Sequence, residues 1–250
     1  MGSLIKGTSK VPFGSCNLRS MEPDQVHPWL APLLVDLRKH AKPDMAKGQE
    51  AYMRHRFPFL GIGTPERRRL TKAHIAKFGM PMLGELSDVV RSCWRQPQRE
   101  MHYTGMELLT RNVGAIGLPE LPFIEELILE HSWWDTVDHL VVHGAGAVLF
   151  HQRQAHLAAN ARWLASGQLW LLRTALIHQL NWKGETDTAM LFANCKALAH
   201  HQDFFVRKGI GWALRQYART DPGAVRVFVD STGLSPLSKR EALKRSRDTG

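Results

Sequence analysis

The sequence predicts an all-α chain folded as a curved solenoid of antiparallel helix pairs. Three observations carry this prediction. Apolar residues recur at helical spacing along nearly the whole chain, and no stretch sustains strand-type alternation. Proline and small polar residues stand where helices should start, and glycines fall between the apolar runs. A dozen or so segments of about 10 to 18 residues with short connections are too many for a four-helix bundle and suit stacked pairs.

Taken in order, the first helices are expected at about 28–40 and 44–56, ahead of turns at Gly61 and Gly63. Thr64 then serves as an N-cap before Pro65 and opens a helix over about 65–78, closed by Gly79. Helices follow at about 82–93 and 97–111, and after Gly117 at about 119–130. Ser132 with Asp135 resembles a capping box and opens a helix over about 133–150. Further helices are expected at about 154–165, 168–181, 185–200 and 202–219, with Gly167 and Gly184 as turns. Asp221-Pro222 opens about 222–231, and Ser235-Pro236 opens about 236–246. No crisp sequence repeat is visible, so helix length and spacing suggest a degenerate HEAT-like array. The alternative is an irregular helical domain without true repeats.

Residues 1–22 lack a sustained apolar core and read as a disordered leader, leaving residues 23–250 as one helical domain. No apolar run approaches the roughly 20 residues that cross a bilayer, so no membrane partner is expected. Cys16, Cys93 and Cys195 are scattered and odd in number, which disfavours a disulfide framework or thiolate metal site and fits the cytoplasm. The formal net charge is +10, concentrated at the ends: +4 over residues 1–60 and +5 over 203–250, against 0 over 61–130 and +1 over 131–202. A chain of this kind binds polyanions, with nucleic acid the leading partner.

The stretch H-S-W-W-D-T-V-D-H-L-V-V-H, residues 131–143, carries the sharpest chemical signal. Asp138 shares a helical stripe with Trp134, Val141 and Ala145, so a carboxylate interrupts an apolar face. Trp133 and Trp134 point about 100° apart, so both cannot face one core layer. A buried Asp138 needs a cation. Arg173 lies among Leu169, Leu172, Leu176 and Leu180, and a later helix sets Lys208, Trp212 and Arg215 near one face. A purely structural Asp138–Arg173 pair is one reading. The other is a carboxylate between aromatic faces, suited to a positively charged ligand or transition state.

Asp135, His139 and His143 recur every four residues, but without an H-E-x-x-H motif or nearby cysteine no metal is expected. No Gly-rich phosphate loop and no deaminase motif occur, and no cofactor is implied. Two segments could hold phosphates at a helix start. One is Thr64-Pro65-Glu66-Arg67-Arg68-Arg69. The other is Ser235-Pro236-Leu237-Ser238-Lys239-Arg240. For each, a solvated surface is the plainer reading.

Several stretches are distinctive in order: E-A-Y-M-R-H-R-F-P-F-L-G-I with T-P-E-R-R, L-E-H-S-W-W-D-T-V-D, W-L-L-R-T-A-L, F-F-V-R-K-G-I-G-W-A-L-R-Q-Y-A and L-S-P-L-S-K-R-E-A. Through them the chain, over about residues 28–246, resembles the bacterial DNA alkylation-repair glycosylases of the HEAT-like-repeat AlkD family. The resemblance implies a monomer that wraps duplex DNA and hydrolyses the N-glycosidic bond of cationic N3- and N7-alkylated purines. It implies Asp138 as the catalytic aspartate, Arg173 as its arginine neighbour, Trp134 and Trp212 as the cleft tryptophans, and Tyr52 as a further aromatic. It also implies a lesion that stays stacked rather than flipped. Two other classes fit the charge and helices: a HEAT-like module that binds DNA without cleaving it, and a protein–protein scaffold.

Overall fold

The computed structural model describes residues 26–244. The leader expected over residues 1–22 lies outside the described residues. The helices are α1 (Leu30–Lys39), α2 (Pro43–Tyr52), α3 (Thr64–Phe78), α4 (Leu86–Trp94), α5 (Arg99–Arg111), α6 (Leu121–Leu129), α7 (Trp134–Leu140), α8 (Gly146–Leu149), α9 (Arg153–Ala165), α10 (Leu169–Ile177), α11 (Thr188–Ala197), α12 (Phe204–Tyr217), α13 (Pro222–Ser231) and α14 (Pro236–Ala242). Among the described residues there is no strand, and the helix pairs stack into a curved repeat solenoid. No described helix is long and apolar enough to cross a membrane.

Proline sits in the first turn of α2, α3, α6, α13 and α14, where its missing N–H costs nothing. Asp221 and Ser235 cap α13 and α14 through Ala224 N (2.8 Å) and Ser238 N (3.1 Å), as the sequence suggests. Two expected caps are corrected. Thr64 is the first residue of α3, and Gly63 occupies the N-cap with no side-chain bond. Ser132 turns back to the carbonyls of Ile128 and Leu129, both at 2.8 Å, so it does not cap α7.

One large apolar cluster runs from α4 to α14, and a smaller one joins α1 and α3 to Cys93 and Met101. Helix α10 sits inside the larger cluster, against α6, α7, α9, α11 and α12, and every residue from Leu172 to Ile177 is buried. A helix apolar on nearly all sides belongs in such a place. Arg173 is therefore the anomaly of α10, fixed where a cation can survive only with partners.

The helix expected over 133–150 is interrupted. Val141–Ala145 form a π-turn between α7 and α8. Just beyond it, Gly146 abuts α10's end: a Cβ there would lie 2.1 Å from the His178 carbonyl oxygen. The Gly146 carbonyl accepts from Trp182 Nε1 at 3.1 Å. The wider turn lets the backbone after it approach the chain following α10 while Trp134 and Asp138 keep another direction.

Candidate active site

Arg173 reaches Asp138 with one edge of its guanidinium: Nε donates to Oδ1 at 2.7 Å and Nη2 to Oδ2 at 2.8 Å. Its Nη1 donates to the Phe205 carbonyl at 2.6 Å. Planar, two-point pairing of this kind fixes both groups. Burial raises the Asp138 carboxyl above its ordinary value, and the bonds and charge of Arg173 pull the other way.

Asp135, one turn earlier, is not the capping residue the sequence suggests. Arg99 grips it through Nε (2.9 Å) and Nη2 (2.7 Å), and the Tyr103 hydroxyl donates to it at 2.6 Å. Arg99 also donates to the His131 carbonyl at 2.8 Å, repeating the Arg173 arrangement one repeat away. The two aspartates differ in what remains available. Asp135 accepts three strong bonds and its side chain is 8% exposed. Asp138 accepts two and is 18% exposed. Asp138 is the carboxylate with lone pairs left to offer.

Trp134, half-buried, is shared by three adjoining depressions. The first, about 270 Å³, is lined by Asp138, Arg173, Trp212, Lys208, Arg215 and Glu241, with Phe204 and Phe205. The second, about 390 Å³, carries Asp138 on past His139 and His143 toward Gln216. The third, about 570 Å³, opens on the other side of Trp134, between Tyr52, Tyr103, Arg68 and His139. Tyr52 is 72% exposed and meets Trp134 edge-on, ring centres 6.2 Å apart. The Arg173 guanidinium lies 5.8 Å from the Trp212 ring centre. Trp133, in contrast, is core, packed on Trp170 and Phe205 with Arg56 over its ring at 4.1 Å. The neighbouring tryptophans do part company.

The metal reading of Asp135, His139 and His143 gains nothing here. Asp135 is committed to Arg99 and Tyr103, and His139 meets Thr110 Oγ1 at 3.0 Å. Burial and the adjacent His143 push His139 down to about 4, so it is neutral at neutral pH.

The structure gathers Tyr52, Trp134, Asp138, Arg173, Lys208, Trp212 and Arg215 along one cleft. It does not gather all the expected phosphate contacts. Arg67 is 2% exposed and donates to Glu107 at 2.6 Å, so its guanidinium is a buried brace rather than a phosphate ligand. Arg68 binds the same carboxylate at 2.9 Å but remains largely exposed at the third depression. Ser238 is fully buried, its hydroxyl bonded to the Arg207 carbonyl at 3.0 Å, and cannot reach a phosphate. Arg69 and Arg240 are exposed and Lys239 half-buried, and none lines the cleft. Sequence reasoning missed Glu241, Arg99 and Tyr103. Each acts on a partner more than 20 residues away, where spacing within one helix carries no signal.

Fold and site define a helical-repeat protein whose cleft is aromatic, rimmed by cations and centred on an arginine-held aspartate. Residues 33–245 match the DNA alkylation repair enzyme family, and the chain belongs to it. A solved structure described as a predicted DNA alkylation repair enzyme from Enterococcus faecalis is similar, with 29% identity and a TM-score of 0.76. The match covers 83% of this chain and 97% of that one. No curated protein matches.

Proposed function

We propose that the protein is a monofunctional DNA glycosylase that hydrolyses the N-glycosidic bond of N3- and N7-alkylated purines in duplex DNA. Such bases carry a positive charge and leave readily, so the enzyme's task is to stabilise the sugar cation left behind. Asp138 faces that charge and orients or deprotonates the water that attacks C1′. Arg173 holds the carboxylate in place. The ring faces of Trp134 and Trp212 pack on the deoxyribose and favour its cation. Tyr52 completes the wall.

The observation that carries this reading is the geometry of Asp138: doubly held by Arg173, still reachable, and set between tryptophans. A module that only binds DNA gains nothing from a reachable carboxylate beside a polyanion, since the two repel. A protein scaffold has no need of it either. The cleft is open, and an extrahelical base is not required for Asp138 to approach a sugar from the backbone side. We therefore favour excision without base flipping, and we propose that the protein acts as a monomer.

The test is release of N7-methylguanine from methylated duplex DNA by the native protein and by Asp138→Asn. No release by the native protein removes the enzyme reading. Equal release by the variant removes the role of Asp138.

A further inference from the structure

The cationic rim of the cleft carries its own counter-ion. Glu241 Oε1 accepts from Lys208 Nζ at 2.9 Å, and Oε2 accepts from Arg215 Nη1 at 3.0 Å. Arg215 also donates to the main-chain carbonyl of Glu241 at 3.1 Å. All three side chains line the same depression as Asp138. Lys208 and Arg215 draw the Glu241 carboxyl below its usual range, so it is charged at neutral pH. A carboxylate bound by two cations through its two oxygens presents the charge and the paired acceptors of a phosphodiester.

The same design recurs in the N-terminal half of the chain, where Glu107 binds Arg67 and Arg68, but there the Arg67 side chain is only 2% exposed. Here both cations are reachable, with side chains 36% and 26% exposed. The backbone of α14 is tied to α12, where the Ser238 hydroxyl donates to the Arg207 carbonyl. It is pressed onto α12 so closely that a Cβ on Gly211 would lie 2.4 Å from the Glu241 Cβ. Exchange must therefore take place at the side chains, and Lys208 has the length and rotamer freedom for it.

We propose that Lys208 and Arg215 form a binding position for one DNA backbone phosphodiester beside Asp138, and that Glu241 is its resident counter-ion, displaced from Lys208 when the phosphate arrives. Two cations less one carboxylate leave the free rim a single net positive charge. Contact with DNA then trades one ion pair for another. A displaced Glu241 recruits a cation from solution and offsets the one the phosphate releases, which damps the salt dependence of binding at this position. The proposal takes its partner class from the DNA reading above but not from catalysis.

The full-length protein is titrated with undamaged duplex DNA over a salt series, so an absence of excision does not affect the result. Glu241→Gln keeps the side chain's shape and an acceptor. It is expected to bind about tenfold tighter at low salt, with the slope of log K against log salt steeper by about 0.9. Unchanged or weaker binding with an unchanged slope, in a variant that melts like the native protein, overturns the proposal. Lys208→Gln, which leaves Arg215 on Glu241, gives an independent reading. It is expected to weaken binding about three- to tenfold in the native background, and by a larger factor relative to Glu241→Gln when made on that variant, where no carboxylate competes for Lys208. Native affinity in Lys208→Gln also overturns the proposal, even where Glu241→Gln fails to fold.

Discussion

Replacing Asp138 with asparagine removes one charge while leaving most contacts in place. The amide oxygen can still accept one of the two Arg173 bonds, and Arg173 keeps the Phe205 carbonyl. Breaking a buried ion pair outright costs about 3–5 kcal/mol. With those bonds retained the expected loss of stability is about 1–2 kcal/mol, a drop of several degrees in melting temperature at this size. The effect on chemistry is larger. The sugar cation loses its nearest negative charge, and removing one preorganised electrostatic partner slows an enzyme about 10²- to 10³-fold, or about 3–4 kcal/mol. Binding of undamaged DNA should hold or tighten slightly, because the lost charge faced a polyanion. Single-turnover release of N7-methylguanine measures the first effect, and anisotropy with undamaged duplex the second. A variant that excises within tenfold of native, or that loses binding and excision together, refutes the reasoning.

Arg173→Lys should lower excision about 10- to 100-fold, since one ammonium cannot hold both Asp138 oxygens and the Phe205 carbonyl. Single-turnover kinetics check it, and native rates would contradict the role of the fork. Arg67→Gln should destabilise the fold by about 2 kcal/mol, because Glu107 loses its buried partner and keeps only the exposed Arg68, whereas Arg69→Gln should leave the melting temperature alone. Equal melts for the two would show Arg67 to be no brace. His102 and His178 are pushed down to about 3, chiefly by burial. The unfolded chain binds these protons below about pH 6.5 and the folded one does not, so stability falls as pH drops from there toward 3, by about 2 kcal/mol per histidine at pH 5. Urea midpoints at pH 7.5 and pH 5 measure it, and equal midpoints would contradict the burial argument.

The helices and much of the cleft were legible because their signals are local. Proline after Asp221 or Ser235 marks a helix start wherever the helix later packs. Asp138 stood out as an acid on an apolar stripe, and Arg173 as a cation among leucines, so each implied a partner and few candidates remained. What stayed hidden depends on three-dimensional neighbours. Arg67, Arg68 and Arg69 are equivalent as letters, and only the packing of α3 on α5 sends Arg67 inward to Glu107 and leaves Arg69 outside. Asp135 passed for a cap because nothing near it in sequence announces Arg99 and Tyr103. Ser238 fits a helix-start phosphate motif, yet α14 turns it toward the Arg207 carbonyl. The π-turn has no spelling at all: V-V-H-G-A suits an ordinary helix until the His178 carbonyl claims the space beside Gly146.

That π-turn also makes the helix bearing Asp138 sensitive to its own winding. One surplus residue within a turn shifts the angular phase of everything beyond it by about 100° relative to a regular helix. The segment before the turn aims Trp134 and Asp138 into the cleft, and the segment after it is locked by Gly146 and Trp182. The turn thus works as a phase adjuster between two fixed ends. Tightening the turn to regular α geometry at constant length would rotate the carboxylate out of the fork of Arg173, whereas deleting one residue from 141–145 removes the surplus and leaves both ends in phase. A change that straightens the turn without shortening it would then act as a switch on chemistry.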